Sequence, residues 1–366
     1  MQKLRKVVVE IFTLGESLLF RQTLPDKYRA FFRFPYLIYD PLKIKQLSKT
    51  ITTIKLAASQ SSKKPVVLCL VKNGEEFIAD FIAHYTKLGF AHIVFLDNGS
   101  TDNTIDIATS FAHVSVLKTS AAFRDTNVLL RRILVMRLGR NAWSLNVDID
   151  ELWDYPHSDS ISLDQFLNYL DSHKYTGVIA QQLDMFAPKL PATRIPLAKY
   201  EYYDISAIRK QQCSTVHGFR ENVFSHSDIQ FHTNGLRKNL FGLKGIWLTK
   251  IPLIKYVRGV KPIAHQHFST GLRVADLSTV LYHYKFTAGF LAHMSRATSE
   301  KQYQNNSYEY KQYAKRLFDN SAFLFMTPHA VKFRNTAQLV QSDFLVVSQA
   351  YTRTVNKHIP NTELVK

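Results

Sequence analysis

Val66-Val-Leu-Cys-Leu-Val71 is an unbroken apolar run, stopped by Lys72-Asn73-Gly74. A strand with one wet face alternates apolar and polar residues, so a continuous run of six marks a strand covered on both faces. From Glu75 to Leu88 the apolar residues Phe77, Ile78, Phe81, Ile82, Tyr85 and Leu88 recur at helical spacing, and Gly89 supplies a stop. Ile93 to Leu96 then reads as a second strand and Asp97-Asn98-Gly99-Ser100 as a turn. A helix is expected from Thr101 to Phe111, capped by Thr101 or Asp102. Val114 to Leu117 is a third strand, Thr126 to Leu138 a helix, and Trp143 to Val147 a fourth strand with Trp143, Leu145 and Val147 on one face. Strands alternating with helices imply an α/β fold, a mostly parallel sheet flanked by helices.

Outward from this core the pattern loosens. Leu163 to Leu170 reads as a helix and Gly177 to Leu183 as a strand. Pro188, Pro191 and Pro196 then mark a loop expected to approach an acceptor, and Phe286 to the C-terminus reads as mainly helical. On the N-terminal side, Ser59-Gln-Ser-Ser-Lys-Lys-Pro65 is polar, lacks apolar periodicity and reads as a linker. Three parts follow: a basic extension over 1–64, a main domain over 65–290 and a helical extension over 291–366.

The 366 residues carry a net charge of +18, and residues 1–64 hold 13 Lys and Arg against four acids, half of that excess. So basic a surface attracts phosphates, whether in nucleotide, lipid or nucleic acid. Phe31, Phe32, Phe34, Tyr36 and Tyr39 interleave with the N-terminal cations, which suits peripheral contact with a membrane as well as it suits a packed extension. No apolar run approaches the roughly 18 residues of a membrane span. Val7 to Leu14 is short and broken by Glu10, so no signal peptide is read there. Cys69 and Cys213 lie far apart without CxxC spacing, which fits a reducing cytoplasm. No nucleic-acid motif accompanies the charge, so no nucleic-acid partner is expected.

Ligands of open α/β sheets bind beyond the carboxyl ends of the strands. Three such ends carry polar residues: Lys72-Asn73, Asp97-Asn98 and Asp148-Ile149-Asp150-Glu151. Neither GxGxxG nor GxxxxGK[ST] follows any of them, which argues against a dinucleotide oxidoreductase and a phosphate-loop nucleotidase. Alternation places Asp148 and Asp150 on one side of the chain, where hard oxygen ligands suit Mg²⁺ or Mn²⁺. Such a metal would neutralise a diphosphate leaving group. The bland alternative is an acidic turn. Asp97 likewise reads either as a turn former or as an acceptor of hydrogen bonds from a base or ribose.

Val66 to Asp106, with Lys72-Asn73, Asp97-Asn98-Gly99-Ser100-Thr101-Asp102 and Thr104, resembles the nucleotide-binding half of family-two glycosyltransferases with the A-type fold. Trp143-Ser-Leu-Asn-Val-Asp148-Ile-Asp150-Glu151, Tyr155-Pro156-His157 and Leu183-Asp184-Met185-Phe186 extend the resemblance toward proteins of bacterial polysaccharide synthesis, and it spans roughly 65–290. The resemblance implies an inverting transferase that takes a nucleotide-sugar donor, a UDP-sugar by expectation, and a glycan or lipid-linked acceptor at the inner membrane face. It further implies that Asp97 contacts the nucleoside, that Asp148 and Asp150 serve the metal, and that His283, with His267 as second choice, completes the metal or diphosphate site. Inversion needs a general base. Asp184, ending an apolar strand, is expected to have a raised pKa and to fill that role, with Glu221 as alternate; the competing reading pairs Asp184 with Arg194 or Arg220. The sequence departs from the family at Lys72-Asn73-Gly74-Glu75 and at Phe123 to Asn127. A catalytically silent glycan- or partner-binding relative is the alternative function, and a basic nucleic-acid-binding protein the less favoured one.

Overall fold

In the computed structural model Val66–Val71 is a strand, β2, with all six residues buried. It sits in a ten-stranded sheet with β1 (Thr52–Lys55), β3 (His92–Asp97), β4 (Val114–Lys118), β5 (Trp143–Val147), β6 (Glu151–Asp154), β7 (Gly177–Asp184), β10 (Val223–Phe224), β12 (Thr249–Lys255) and β15 (Arg273–His283). The order is β1-β4-β3-β2-β5-β12-β7-β15-β10, with β6 paired to β15. Three short two-stranded sheets join β9 (Arg209–Gln212) to β11 (Gln230–Thr233), β13 (Lys261–His265) to β14 (Phe268–Thr270), and β8 (Tyr202–Tyr203) to β16 (Val331–Lys332). The structure describes residues 41–58, 64–299, 308–318 and 323–358.

The chain divides into two compact units, 1–50 and 51–366. Of the first unit, the described residues 41–50 are helical. Phe31 to Tyr39 and most of the expected linker at 59–65 lie outside the described residues. The sheet begins earlier than residue 65, because Thr52–Lys55 pairs antiparallel with β4. Among the described residues no helix is long and apolar enough to cross a membrane.

Within the second unit the helices are α1 (Ile78–Leu88), α2 (Thr104–Thr109), α3 (Phe123–Leu138), α4 (Leu163–Ser172), α5 (Leu236–Phe241), α6 (Phe290–Ser299), α7 (Tyr308–Phe318), α8 (Thr336–Gln341) and α9 (Gln349–Asn356). Helix α1 buries Ile78, Phe81, Ile82 and Tyr85, and Gly89 ends it at φ 108°, its N–H returning to the carbonyls of Thr86 and Tyr85. A capping box between Ser162 and Gln165 starts α4. Helix α2 starts three residues later than the sequence suggests. Thr101 and Asn103 give their backbone N–H groups to Asn73 and Glu75 across the neighbouring loop, at 2.8 and 3.2 Å, so these residues tie two loops together instead of opening a helix. Helix α3 absorbs Phe123 to Asn127 as its first turn.

Strands β4, β3, β2 and β5 are parallel neighbours, and β7 is parallel to β15. Strand β12 lies antiparallel between β5 and β7. That insertion matters for the site: β12 begins where β5 and β7 end. Its Pro252 has no N–H for the ladder, and the register with β7 shifts between Lys250 and Leu253. A bulge of this kind re-aims the adjacent side chain. The principal core takes alternate residues of the strands, Val67, Cys69 and Val71 of β2, Ile93 and Phe95 of β3, and Trp143, Leu145 and Val147 of β5, which share one face of the sheet. A second cluster, with Phe186, Phe241, Phe286, Phe290, Tyr313 and Phe325, joins α5 to α6 and α7.

Candidate functional site

The parallel strands β2, β3, β5, β7 and β15 deliver their carboxyl ends to one edge of the sheet, carrying Lys72-Asn73, Asp97-Asn98, Asp148, Asp184 and His283. The β2 and β5 loops touch. A Cβ on Gly74 would lie 2.7 Å from Val71 and 2.9 Å from Ile149, the residue between Asp148 and Asp150. Asn73, at φ 53°, gives its N–H to Ser100 at 2.9 Å and takes the Thr101 N–H on its side chain, which locks the β2 loop to the β3 loop. Lys72 is exposed beside it. Asp97 is buried and accepts the N–H groups of Gly99 and Ser100 at 2.9 and 3.2 Å, while Asn98 donates to the carbonyls of Thr119 and Ala121. Both residues therefore hold the turn whatever else they touch.

Asp148 sits between two cations. Arg131 of α3 donates to its Oδ1, and Lys250 of β12 to Oδ2 at 2.9 Å. Lys250 also pairs with Glu151, which takes the Asp148 N–H at 3.0 Å and the Gln182 amide at 3.3 Å. Burial alone would raise the Asp148 carboxyl, but Arg131 and Lys250 outweigh it and hold the group well below the usual carboxylate range. Asp148 nonetheless remains 36 % exposed, against 9 % for Lys250 and 1 % for Glu151. The cluster thus opens to solvent through Asp148.

A second chain runs beside it. Asp150, 31 % exposed, lies 3.4 Å from His283 Nε2; His283 Nδ1 lies 2.6 Å from Asp184 Oδ1. Arg237 Nε donates to the other Asp184 oxygen at 2.9 Å, and its remaining nitrogens reach Glu309 and Gln182, each at 3.4 Å. Glu309 belongs to α7, so the C-terminal helices support this chain through α5. Burial would lower the His283 pKa, but Asp150 and Asp184 raise it.

Two expectations are corrected here. Asp184 does not have a raised pKa: burial pushes upward, but Arg237 and His283 draw it well below the carboxylate range. It is buried, and both its oxygens are engaged, one by Arg237 and the other by His283. Its cation is Arg237, whereas Arg194 pairs with Asp80 at 3.1 Å. Glu221 is exposed and stands at the far end of the sheet. Val223, two residues on, pairs with Arg273, ten residues before His283 along β15, about 33 Å at ~3.3 Å per residue. His267 lies on the Lys250 side, with Nδ1 3.1 Å from the Thr249 carbonyl. Burial and then Lys250 bring its pKa down to about 3, so it is neutral.

Sequence reasoning missed Arg131, Arg237 and the role of Lys250. A signal existed for two of them. Arg131 interrupts the apolar face of Leu130, Ile133 and Leu134, and Lys250 stands in a strand whose neighbours are buried. A cation in such a place is paired or functional.

Among the described residues no group of three or more His, Cys, Asp or Glu is arranged to hold a metal. The pair Asp150 and His283 nevertheless suits two adjacent ligands. Bonds of about 2.1 Å at a right angle place donor atoms roughly 3.0 Å apart, near the 3.4 Å observed, and a carboxylate behind the other ring nitrogen is the usual support for a ligating histidine. Asp148, with a cation on each oxygen, is placed differently from what the sequence suggests.

No family model matches the chain, and no curated protein matches it. Solved structures with local similarity include S. aureus TarS, at 12% identity over 71% of this chain and 44% of that one, TM-score 0.35. The 1–349 fragment of TarS with UDP matches at 19% identity over 34% and 35% of the two chains, TM-score 0.26. A mannosyltransferase from Pyrobaculum calidifontis, PcManGT with GDP-Man and Mn²⁺, matches at 12% identity over 88% and 91%, TM-score 0.28. The chain spans less than half of the length of these TarS chains. At such scores the fold rests on the sheet described above.

Proposed function

We propose that this chain is a glycosyltransferase of the family-two type with the A-type fold, and that it moves a sugar from a nucleotide-diphosphate donor to a glycan or lipid-linked acceptor. The observation that carries the reading is the convergence of Asp97, the Asp148 to Asp150 loop and His283 at one carboxyl edge of a mostly parallel sheet, where such sheets take ligands. Residues 65–290 are read as the catalytic domain, a UDP-sugar as donor, and transfer as inverting. These finer assignments rest on the motif resemblance. The +9 excess of residues 1–64 supports a peripheral contact of that segment with the inner, cytoplasmic membrane face.

Lys72, Asn73, Asp97 and Asn98 would line the nucleoside side. Asp150 and His283 would hold Mn²⁺ or Mg²⁺, with Asp148 at the opening and His267 outside the ligand set. When bound, the ion supplies positive charge to the departing diphosphate. With the ion bound, Asp184 would keep the one remaining proton of His283 on Nδ1 and leave the Nε2 lone pair for the metal; without it, Nε2 faces the Asp150 carboxylate as an N–H donor, which is why the two carboxylates raise the His283 pKa. Arg237 in turn holds Asp184 ionised. Arg131 and Lys250 keep Asp148 ionised and add fixed positive charge beside the diphosphate position, an arrangement that needs no reorganisation as charge develops.

Thermal unfolding with a panel of nucleotide sugars, with and without Mn²⁺, tests the reading. A ligand at 100 times its Kd adds about 2.7 kcal/mol. The expected result is a metal-dependent rise for one nucleotide family, lost in Asp150→Asn and His283→Ala. No rise with any nucleotide, in a protein that unfolds cooperatively, refutes it and favours a catalytically silent relative.

A further inference from the structure

A cavity of about 700 Å³ lies apart from the acidic edge, walled by the start of β9, the end of β11, α5 and the loop that follows α5. Arg209, Lys210, Lys238 and Lys244 line it, and no carboxylate does. All four are exposed. Lys210 is steered by a 2.6 Å hydrogen bond to the Asp343 carbonyl. Asp204, behind Ser206, accepts from Ser206, Asn239 and Thr327 at 2.6 to 2.8 Å and is buried, so it does not offset the cations from inside the cavity. Antiparallel pairing of Arg209 with Thr233 fixes one wall. Asn234, at φ 80°, takes the Gly245 N–H at 2.7 Å and fixes the other.

Four exposed cations lining one cavity that no carboxylate lines make its mouth a place where anions concentrate, with Arg209, Lys238 and Lys244 free of the carbonyl contact that holds Lys210. A single carboxylate would leave most of that charge uncompensated, whereas a phosphate ester brings up to two charges and three strong acceptor oxygens. The volume far exceeds one phosphate, and the remaining wall includes Thr233 and Asn234, whose hydroxyl and amide nitrogen are partners for a hydroxylated body. Helix α5 links the two places, for Arg237 reaches Asp184 while the next residue, Lys238, lines the cavity.

We infer that this cavity binds a phosphorylated saccharide, and that it anchors the phosphate of the acceptor. The acceptor role rests on the transferase reading; the binding does not. Isothermal titration of the full chain with glucose 6-phosphate, pyrophosphate and neutral glucose separates the parts, with UDP titrated alongside. The expected result is saturable binding of glucose 6-phosphate, none of glucose, and at least a tenfold loss in Lys238→Ala/Lys244→Ala with UDP affinity unchanged. Flotation with phosphatidylglycerol against phosphatidylcholine vesicles identifies the source. Binding to the former that the same variant loses supports the site with a lipid-borne phosphate. Glucose 6-phosphate affinity unchanged in the variant overturns the inference, as does loss in the variant of single-stranded RNA binding in a chain that ignores the sugar phosphate. Failure of UDP to bind while the phosphate site behaves as stated removes the transferase reading and leaves the site standing.

Discussion

Replacing Lys250 by Met removes the cation shared by Asp148 and Glu151 while keeping most of the side-chain volume in β12. The two carboxylates differ in what happens next. Glu151 is 1 % exposed, so without Lys250 it is left as a buried charge with only the Asp148 N–H and the Gln182 amide. Breaking a buried pair in this way costs about 3–5 kcal/mol. Asp148 is 36 % exposed and retains Arg131, so its share falls in the range of about 0–1 kcal/mol typical of wet ion pairs. Denaturant unfolding should therefore show Lys250→Met destabilised by about 3–5 kcal/mol, and heating should lower the midpoint by roughly 6 to 15 °C at ~2–3 °C per kcal/mol for a unit of this size. Double-mutant cycles sharpen the test. Adding Glu151→Gln should recover more than about 2 kcal/mol, because the stranded charge is gone, whereas adding Asp148→Asn should recover less than about 1 kcal/mol. Equal recovery in the two cycles, or a loss under about 1 kcal/mol for Lys250→Met alone, refutes the argument that burial of Glu151 dominates this cluster.

Asp154, beside the Tyr282 hydroxyl, has its pKa pushed up to about 6, chiefly by burial. Its stabilising form is the protonated one, so its contribution is fully present below about pH 4, is lost as the pH rises through 6, and is a net cost at pH 7.5. Asp154→Asn should accordingly raise the unfolding midpoint at pH 7.5 and leave it unchanged at pH 4; a gain at both values contradicts this. Gly74→Ala should cost about 1–3 kcal/mol in denaturant unfolding, since its Cβ falls within 3.0 Å of Val71 and Ile149, and it should weaken nucleotide binding by displacing the Asp148 to Asp150 loop. Ser162→Ala should remove the capping box of α4 and cost about 1 kcal/mol, with nucleotide binding untouched.

The sequence by itself determined the elements whose signal is local. The buried run of β2, the α1 stripe ending in Gly89, and β3, β4 and β5 all follow from periodicities read over a dozen residues or fewer, and with them the α/β class. The polar residues just beyond β2, β3 and β5 could be singled out for the same reason, since a strand end is visible where its apolar run stops. Long-range partners were not visible. Arginine and lysine together number 47 in this chain, and nothing local says that Arg131 and Lys250 close on Asp148 or that Arg237 closes on Asp184. Those contacts span 17, 102 and 53 residues. The error over Asp184 has the same origin: its burial was legible from the strand it ends, and burial alone raises a carboxyl, but the sign of the shift depends on two neighbours that arrive through β15 and α5. Glu221, the alternate base, likewise stands at the other end of β15 from His283, a distance only strand pairing can decide. Local apolar period chooses the elements; which charges meet is decided by the order and direction in which the sheet assembles them, and above all by the antiparallel β12 that sequence alternation does not announce.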